Sequence, residues 1–313
     1  MNLQKEIATY LHYCKYQKKL NAKSIKAYSI DLRQFIEHFD ATLEQKLTKS
    51  MFSEYIVWLH QTYSPRTAKR KLASLRAFMN YLEFEEIIDI NPISKIRMKF
   101  QEPKELPKTI PLKSIEQILA IAYREHKAAK TAFSAFVALR NTAILETLFA
   151  TGMRVSELCS LKTSDVNLED GIIRIIGKGA KERVIQIGND EVLDILRKYK
   201  NANKHSTDFF VNRLASRMSE QSVRFMIRKV SKTAGISLHV TPHMFRHSFA
   251  TLLLEEDVDI RYIQKMLGHS SIQTTQIYTQ VTSEKQRKIL TAKHPRNTLN
   301  IEQNILQPMD ASY

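Results

Sequence analysis

Between Phe100 and Pro111 the chain reads Gln-Glu-Pro-Lys-Glu-Leu-Pro-Lys-Thr-Ile, with three prolines counting Pro111 and no helical period. Proline breaks both helix and ladder hydrogen bonding, so this stretch reads as an extended linker and forces the text on either side into separate folding units. At 313 residues the chain is long enough for two domains, each able to bury its own core. The expected division is therefore a first domain over residues 1–100, a linker over 101–111, a second domain over 112–296 and a tail over 297–313.

The first hundred residues carry four helical patterns. Ile25, Tyr28, Leu32, Phe35, Ile36 and Phe39 recur at spacings of three and four, and Phe52, Tyr55, Ile56 and Leu59 repeat the pattern. Ser64-Pro65 supplies a cap residue and a first-turn proline ahead of Leu72, Leu75, Phe78, Met79 and Leu82. On that helix Arg66, Lys69, Arg70 and Arg76 form a basic run, which reads either as a solvated face or as a set of phosphate contacts.

The second unit is again mostly helical, with one interruption. Gly171-Ile-Ile-Arg-Ile-Ile-Gly-Lys-Gly-Ala-Lys-Glu-Arg-Val-Ile-Gln-Ile runs from β-branched residues through a glycine-rich turn to β-branched residues, the pattern of a β-hairpin with Lys178 at its tip. Asn189–Lys200 and Glu220–Lys232 add amphipathic turns. The expected class is mostly α with a small β-hairpin or sheet.

Forty-eight Lys and Arg against 32 Asp and Glu leave a formal net charge of +16, which points to a polyanionic partner, nucleic acid above all. The excess is shared: residues 1–107 hold 18 basic and 12 acidic groups, so both units could touch a phosphate backbone. The chain is 43% hydrophobic and 26% charged, the balance of a globular protein. Its two cysteines, Cys14 and Cys159, belong to no metal-binding cluster. The start, Met1-Asn-Leu-Gln-Lys-Glu, lacks the apolar run of a secretory signal. The apolar stretch Ala132–Ala150 is interrupted by Arg140 and Glu146 and reads as too short for a membrane span. A cytoplasmic protein without a membrane partner is expected.

Six residues can then be assembled into one chemistry. In Thr151-Gly-Met-Arg-Val-Ser-Glu-Leu a glycine closes one helix and Arg154 opens the next, where free amides and the helix dipole favour a phosphate. Glu157 shares a face with Arg154 and could hold it, although a plain surface salt bridge accounts for the pair equally. His243 and Arg246 stand at i and i+3 just after a Thr241-Pro242 helix start. His269 lies in the turn Gly268-His269-Ser270-Ser271, and Tyr278 follows about two helical turns on. A tyrosine hydroxyl near pKa 10 is phenolate in only about one molecule in a thousand at neutral pH, so attack on phosphorus needs a base such as His243. Arginines and a histidine donor can spread the charge of a five-coordinate phosphorus, and Lys178 can protonate the leaving oxygen.

These segments resemble the tyrosine recombinases, and within them the compact Xer-like members, over most of the chain from Leu112 to about Arg296. Thr151-Gly-Met-Arg-Val-Ser-Glu-Leu is similar to the family's first arginine box, and Gly177-Lys-Gly-Ala-Lys-Glu-Arg to its lysine hairpin. His243-Met-Phe-Arg-His-Ser-Phe-Ala-Thr resembles its HxxR box, and Leu267-Gly-His-Ser-Ser with Thr274-Thr-Gln-Ile-Tyr-Thr its last histidine and its nucleophile. The resemblance implies that Arg154 and Arg246 clamp the scissile phosphate with His269 as donor, that His243 is base, Lys178 acid and Tyr278 nucleophile, and that Glu157 supports them. It implies a 3′-phosphotyrosine intermediate formed without metal, ATP or other cofactor.

The first domain resembles the family's helical, SAM-like core-binding domain, the two domains together forming a DNA clamp. Four protomers, identical or shared with a paralogue, would assemble on two specific duplex sites, and His294-Pro-Arg296 resembles the Xer tail that docks on a neighbour. Three departures stand out: Phe245 where leucine is usual, Glu256-Asp257 in place of a glycine-containing turn, and the extension 297–313. The biological role stays open between chromosome or plasmid dimer resolution and mobile-element integration or excision. A type IB topoisomerase and a catalytically silent DNA-binding protein are the competing readings.

Overall fold

Polar caps start the helices. Asn2, Thr48, Thr131, Asn189, Ser219 and Thr241 each accept a backbone amide two or three residues into the helix they precede, which satisfies donors a helix start leaves open. A computed structural model describes residues 2–39, 47–94, 96, 108–177, 182–203 and 206–268. Two compact units divide the chain, Met1–Glu105 and Leu106–Tyr313.

The first unit holds α1 (Leu3–Tyr16), α2 (Ala22–Phe39), α3 (Lys49–Thr62) and α4 (Pro65–Phe84). The apolar stripes read from the sequence face inward: Leu32, Phe35, Phe52, Tyr55, Leu59, Leu72, Leu75, Phe78 and Leu82 share one core. Phe35 lies between aromatic neighbours, stacked on Phe52 at 5.4 Å and edge-on to Tyr55 at 5.0 Å. Inside this core sits a charged knot. Buried Asp31 accepts from Ser74 Oγ at 2.8 Å, from Lys71 Nζ at 3.3 Å and from Arg70. Lys71 also donates to Gln34 and lies 4.7 Å from the Tyr63 ring centroid. A buried ammonium needs such partners, because desolvating it alone costs several kcal/mol.

The second unit begins before α5 (Leu112–Lys127), earlier than the sequence suggests. Ile110, in the stretch read as linker, is buried in the second core, and its amide donates to Ser248 Oγ at 2.7 Å. Its centre is α6 (Ala132–Thr151), against which α5, α8 (Asp190–Ala202) and α10 (Pro242–Glu255) pack. The expectation that this stretch is too short for a membrane span does not hold: its 20 residues are long and apolar enough by length and composition. Its apolarity has another cause. A helix packed on several sides is apolar all round, and α6 buries Ala143, Ile144, Leu145 and Leu148 in the core. The charges that interrupt it are satisfied inside, Arg140 donating to the Val211 carbonyl at 3.2 Å and Glu146 accepting from Tyr123 Oη at 2.9 Å.

After the short α7 (Val155–Ser160), β1 (Val166–Asn167), β2 (Ile172–Ile176) and β3 (Glu182–Gln186) form an antiparallel sheet in that order. The hairpin is in register from Ile172 opposite Gln186 to Ile176 opposite Glu182. Buried Ile173, Ile175 and Ile185 fix that register, since a one-residue slip would turn them to solvent. α9 (Glu220–Thr233), α10 and α11 (Ile260–Leu267) complete the described unit. Phe245, the residue that departs from the usual leucine, is fully buried in the core. Asp257 takes up the left-handed turn after α10 at φ 62°, the conformation for which a glycine is the usual choice.

Candidate active site

Arg154 caps α7. Its amide donates to Glu157 Oε2 and its Nη1 to Glu157 Oε1, both at 2.8 Å, so the carboxylate grips the backbone and the guanidinium of the same residue. The sequence pairing of Arg154 with Glu157 is thus the carboxylate half of a capping box, the N3 side chain taking the N-cap amide. Arg154 remains about one-third exposed while Glu157 is buried, which leaves the guanidinium at the surface on a fixed support.

His243 and Arg246 lie on the first turns of α10, and they differ in surroundings. Arg246 is buried, with Nη1 on the Gly152 carbonyl at 2.9 Å and Nη2 on the Leu267 carbonyl at 2.7 Å. His243 is solvent-accessible. Partial desolvation, then the positive charges of Arg246, Arg224 and Arg154, hold its imidazole below the ordinary histidine value. His247, one turn on, is lowered by burial and by His243 and Arg246.

Two glycines let these pieces meet. Gly152 ends α6 at φ 58°, and a Cβ there would stand 2.6 Å from Phe249 Cδ1 and 3.0 Å from Leu267 Cδ2. Gly268 ends α11 at φ 64°. The structure so joins the end of α6, the start of α7, the start of α10 and the end of α11. Segments far apart in sequence that carry Arg154, Arg246 and the residue before His269 come to one place. Lys178, His269 and Tyr278 lie outside the described residues, as does the tail 297–313. Of the hairpin, β2 and β3 are described up to Gly177 and from Glu182.

Arg183 belongs to this cluster and sequence reasoning did not single it out. Its Nη1 and Nη2 bind Glu157 Oε1 and Oε2 at 3.1 and 2.8 Å, and its Nε donates to the Met266 carbonyl at 2.7 Å. Burial pushes the Glu157 carboxyl up, but hydrogen bonds from Arg183 and then from the Arg154 amide and guanidinium outweigh it, so Glu157 stays ionised below its usual range. The available signal was a charged residue in a strand beside a buried face, since a charge placed there requires a partner. At the other end of α7, Arg217 Nε donates to the Cys159 carbonyl at 2.7 Å. Among the described residues no three His, Cys, Asp or Glu side chains gather as a metal site would require.

In the first unit the basic run is exposed on α4, where positions 66, 69, 70 and 76 share the face opposite Leu72, Leu75 and Phe78. Part of it serves the fold: Arg70 is bound to Asp31, and Arg76 Nη2 donates to the Ile96 carbonyl at 3.3 Å.

The sequence matches the phage integrase family over residues 109–285 and the N-terminal SAM-like domain of phage integrases over residues 7–86. A curated tyrosine recombinase of Agathobacter rectalis is 52% identical over 299 residues, covering 94% of this chain and 98% of that protein. Tyrosine recombinase XerD of Listeria monocytogenes is 35% identical over 302 residues, covering 93% of this chain and 98% of its own. Among solved structures, the site-specific recombinase XerH bound to a palindromic difH substrate in a post-cleavage complex has the same fold, with a TM-score of 0.71 at 24% identity over 89% of this chain and 82% of that one. With matches that span both units, the chain belongs to the tyrosine recombinases of the phage integrase family, as an Xer-like enzyme that cleaves and rejoins DNA at specific sites.

Proposed function

We propose that Tyr278 cuts one strand of a specific duplex site and holds it as a 3′-phosphotyrosine, with Arg154, Arg246, His243, His269 and Lys178 as the catalytic set. The observation that carries this reading is the pair of hydrogen bonds from Arg246 to the Gly152 and Leu267 carbonyls, because it fixes one cationic box against the segment that leads to Arg154 and the end of α11.

The phenol oxygen attacks phosphorus as its proton passes to His243, whose lowered proton affinity keeps it neutral and receptive. The bond to the 5′ oxygen breaks, and Lys178 supplies the proton that makes it a hydroxyl. Arg154, Arg246 and His269 offset the charge that accumulates on the equatorial oxygens. The linkage conserves the energy of the phosphodiester, so a 5′ hydroxyl from a second duplex can attack it, release Tyr278 and join the new strand without ATP or a metal.

The partner is duplex DNA. Arg66 and Lys69, with the outward parts of Arg70 and Arg76, meet phosphates through the first unit, which agrees with their exposure on one helix face. A palindromic site, such as that named for XerH, presents two half-sites, so two protomers on each of two sites give a tetramer.

The test is covalent trapping on a nicked suicide duplex that loses its short 5′ product. The wild-type chain is expected to give a detergent-resistant protein–DNA adduct, and Tyr278→Phe none while still binding DNA. An adduct formed by Tyr278→Phe would overturn the assignment.

A further inference from the structure

Arg183 stands on β3, opposite Ile175 of β2, and touches three different parts of the second unit. Its two terminal nitrogens take both oxygens of Glu157. Its Nε takes the carbonyl of Met266. Its aliphatic stem lies against Gly268, where an added Cβ would sit 3.0 Å from Arg183 Cδ. The guanidinium is almost wholly enclosed, at 9% exposure, and its carboxylate partner is at 5%.

Each contact reaches a member of the candidate site indirectly. Each Glu157 oxygen accepts from both Arg183 and Arg154, so the rotamer of Arg154 depends on a carboxylate that Arg183 anchors. A two-pronged guanidinium–carboxylate pair fixes orientation as well as distance, which a single contact does not. Met266 and Leu267 offer the last carbonyls of α11, the negative end of that helix, and two arginines take them, Arg183 the first and Arg246 the second. The chain then passes Gly268 into His269.

We propose that Arg183 is a positioning residue for strand cleavage, acting through Glu157 on Arg154 while its bond to Met266 ties that linkage to the end of α11. It contacts no reacting atom. Its role rests on Arg154 serving as a phosphate ligand in the proposed cleavage. Arg183, the second residue of β3, so ties the return strand of the hairpin to the phosphate-binding arginine through Glu157.

Single-turnover cleavage by the full chain on two suicide duplexes tests this. One carries an ordinary scissile phosphate, the other a methylphosphonate, whose missing negative charge reduces the need for a well-aimed Arg154. Arg183→Ala is expected to slow cleavage of the phosphate about ten- to a hundredfold, to leave DNA affinity within about threefold, and to recover much of the deficit on the methylphosphonate. Arg183→Lys keeps the charge but cannot grip both oxygens, so most of the deficit persists. Combined with Glu157→Gln, Arg183→Ala should add little, since both remove one linkage. Should Arg183→Ala fail to fold, Arg183→Lys decides by the same two-substrate ratio. Equal deficits on both substrates, or wild-type rates in the folded variants, would overturn the positioning role. An adduct with Tyr278→Phe would instead overturn the cleavage reading itself, whatever Arg183 does.

Discussion

Arg246 Nη1 lies 2.9 Å from the carbonyl oxygen of Gly152, the residue that closes α6 two positions before Arg154. Its Nη2 holds the Leu267 carbonyl at 2.7 Å. One buried guanidinium therefore sets the spacing between the segment that leads to Arg154 and the segment that leads to His269. A residue assigned to the phosphate also holds the walls of the phosphate site together. Such dual use means that its removal should be read in stability as well as in rate.

Arg246→Ala should then destabilise the second unit by about 2–4 kcal/mol, because two carbonyls lose a charged donor in a buried setting. Thermal denaturation measures this, and cleavage should be lost in the same variant. Arg246→Lys retains the charge but reaches one carbonyl at best, so its stability should lie between the two while cleavage stays strongly reduced. A variant with wild-type stability would show that the backbone contacts are dispensable.

Gly152→Ala tests the same junction from the other side. Its φ of 58° disfavours any side chain by about 1–2 kcal/mol, and the added carbon would press on Phe249 Cδ1 at 2.6 Å. Overpacking of that kind adds about 1–3 kcal/mol. The melting temperature should fall by about 5–15 °C, and Phe249→Leu in the same chain should recover only the steric part. Full recovery would mean that the backbone conformation carries no cost.

The elements were largely legible in the sequence, and the contacts between them were not. Thr241-Pro242 and Ser64-Pro65 announced helix starts because capping is local chemistry, and the hairpin followed from β-branched runs around glycines. Ile110 read as linker because its neighbours are prolines; only Ser248, on a helix far along the chain, shows why it is held. The apolar length of α6 is ambiguous in one dimension, since a core helix and a membrane span share that pattern. Arg154, His243 and Arg246 could be named from their boxes, whereas Arg183 acquires meaning only when the hairpin folds back beside Glu157 and α11. Asp257 stands where a glycine-containing turn is usual, and only its φ shows that it adopts the glycine's conformation itself.

The lowered proton affinity of His243 gives cleavage a particular acid limb. Desolvation and the charges of Arg246, Arg224 and Arg154 keep its imidazole neutral below the ordinary value near 6.5. Cleavage at subsaturating DNA, which reports the free enzyme, should hold steady as pH falls through that value and decline only below it. Stability has the same sign. His243 and His247 both bind protons more weakly folded than unfolded, so stability present above the ordinary value is lost as pH falls toward their lowered values. Melting temperature against pH should drop on the acid side, less steeply in His247→Gln. A rate that declines already above pH 6.5 would contradict the role of His243 as base.

In the first unit, stability and DNA contact should separate along α4. Asp31→Ala leaves Lys71 buried without its anion, a loss of about 3–5 kcal/mol. Arg66→Ala and Lys69→Ala sit on the exposed face and should change stability by no more than about 0.5 kcal/mol. Their effect should appear in binding instead, each lowering the slope of log affinity against log salt by about one. An unchanged slope in both would remove this face from the DNA interface.

Lys178 is assigned to the leaving oxygen, and chemistry can bypass that step. An alkoxide needs a proton as it departs, whereas a thiolate leaves unaided because thiols are far stronger acids. Lys178→Ala should therefore slow cleavage of an ordinary duplex by about a hundred- to ten-thousandfold, the range for loss of a positioned acid, and cleave a 5′-bridging phosphorothiolate at close to the wild-type rate. Arg246→Ala should show no such recovery, since its charge serves the non-bridging oxygens, which the sulfur leaves unchanged. Parallel measurement of the two variants on the two duplexes separates proton delivery from charge stabilisation. Failure of rescue in Lys178→Ala would move the acid to another residue, and rescue of Arg246→Ala would merge proton delivery by the hairpin lysine with charge stabilisation by the buried guanidinium.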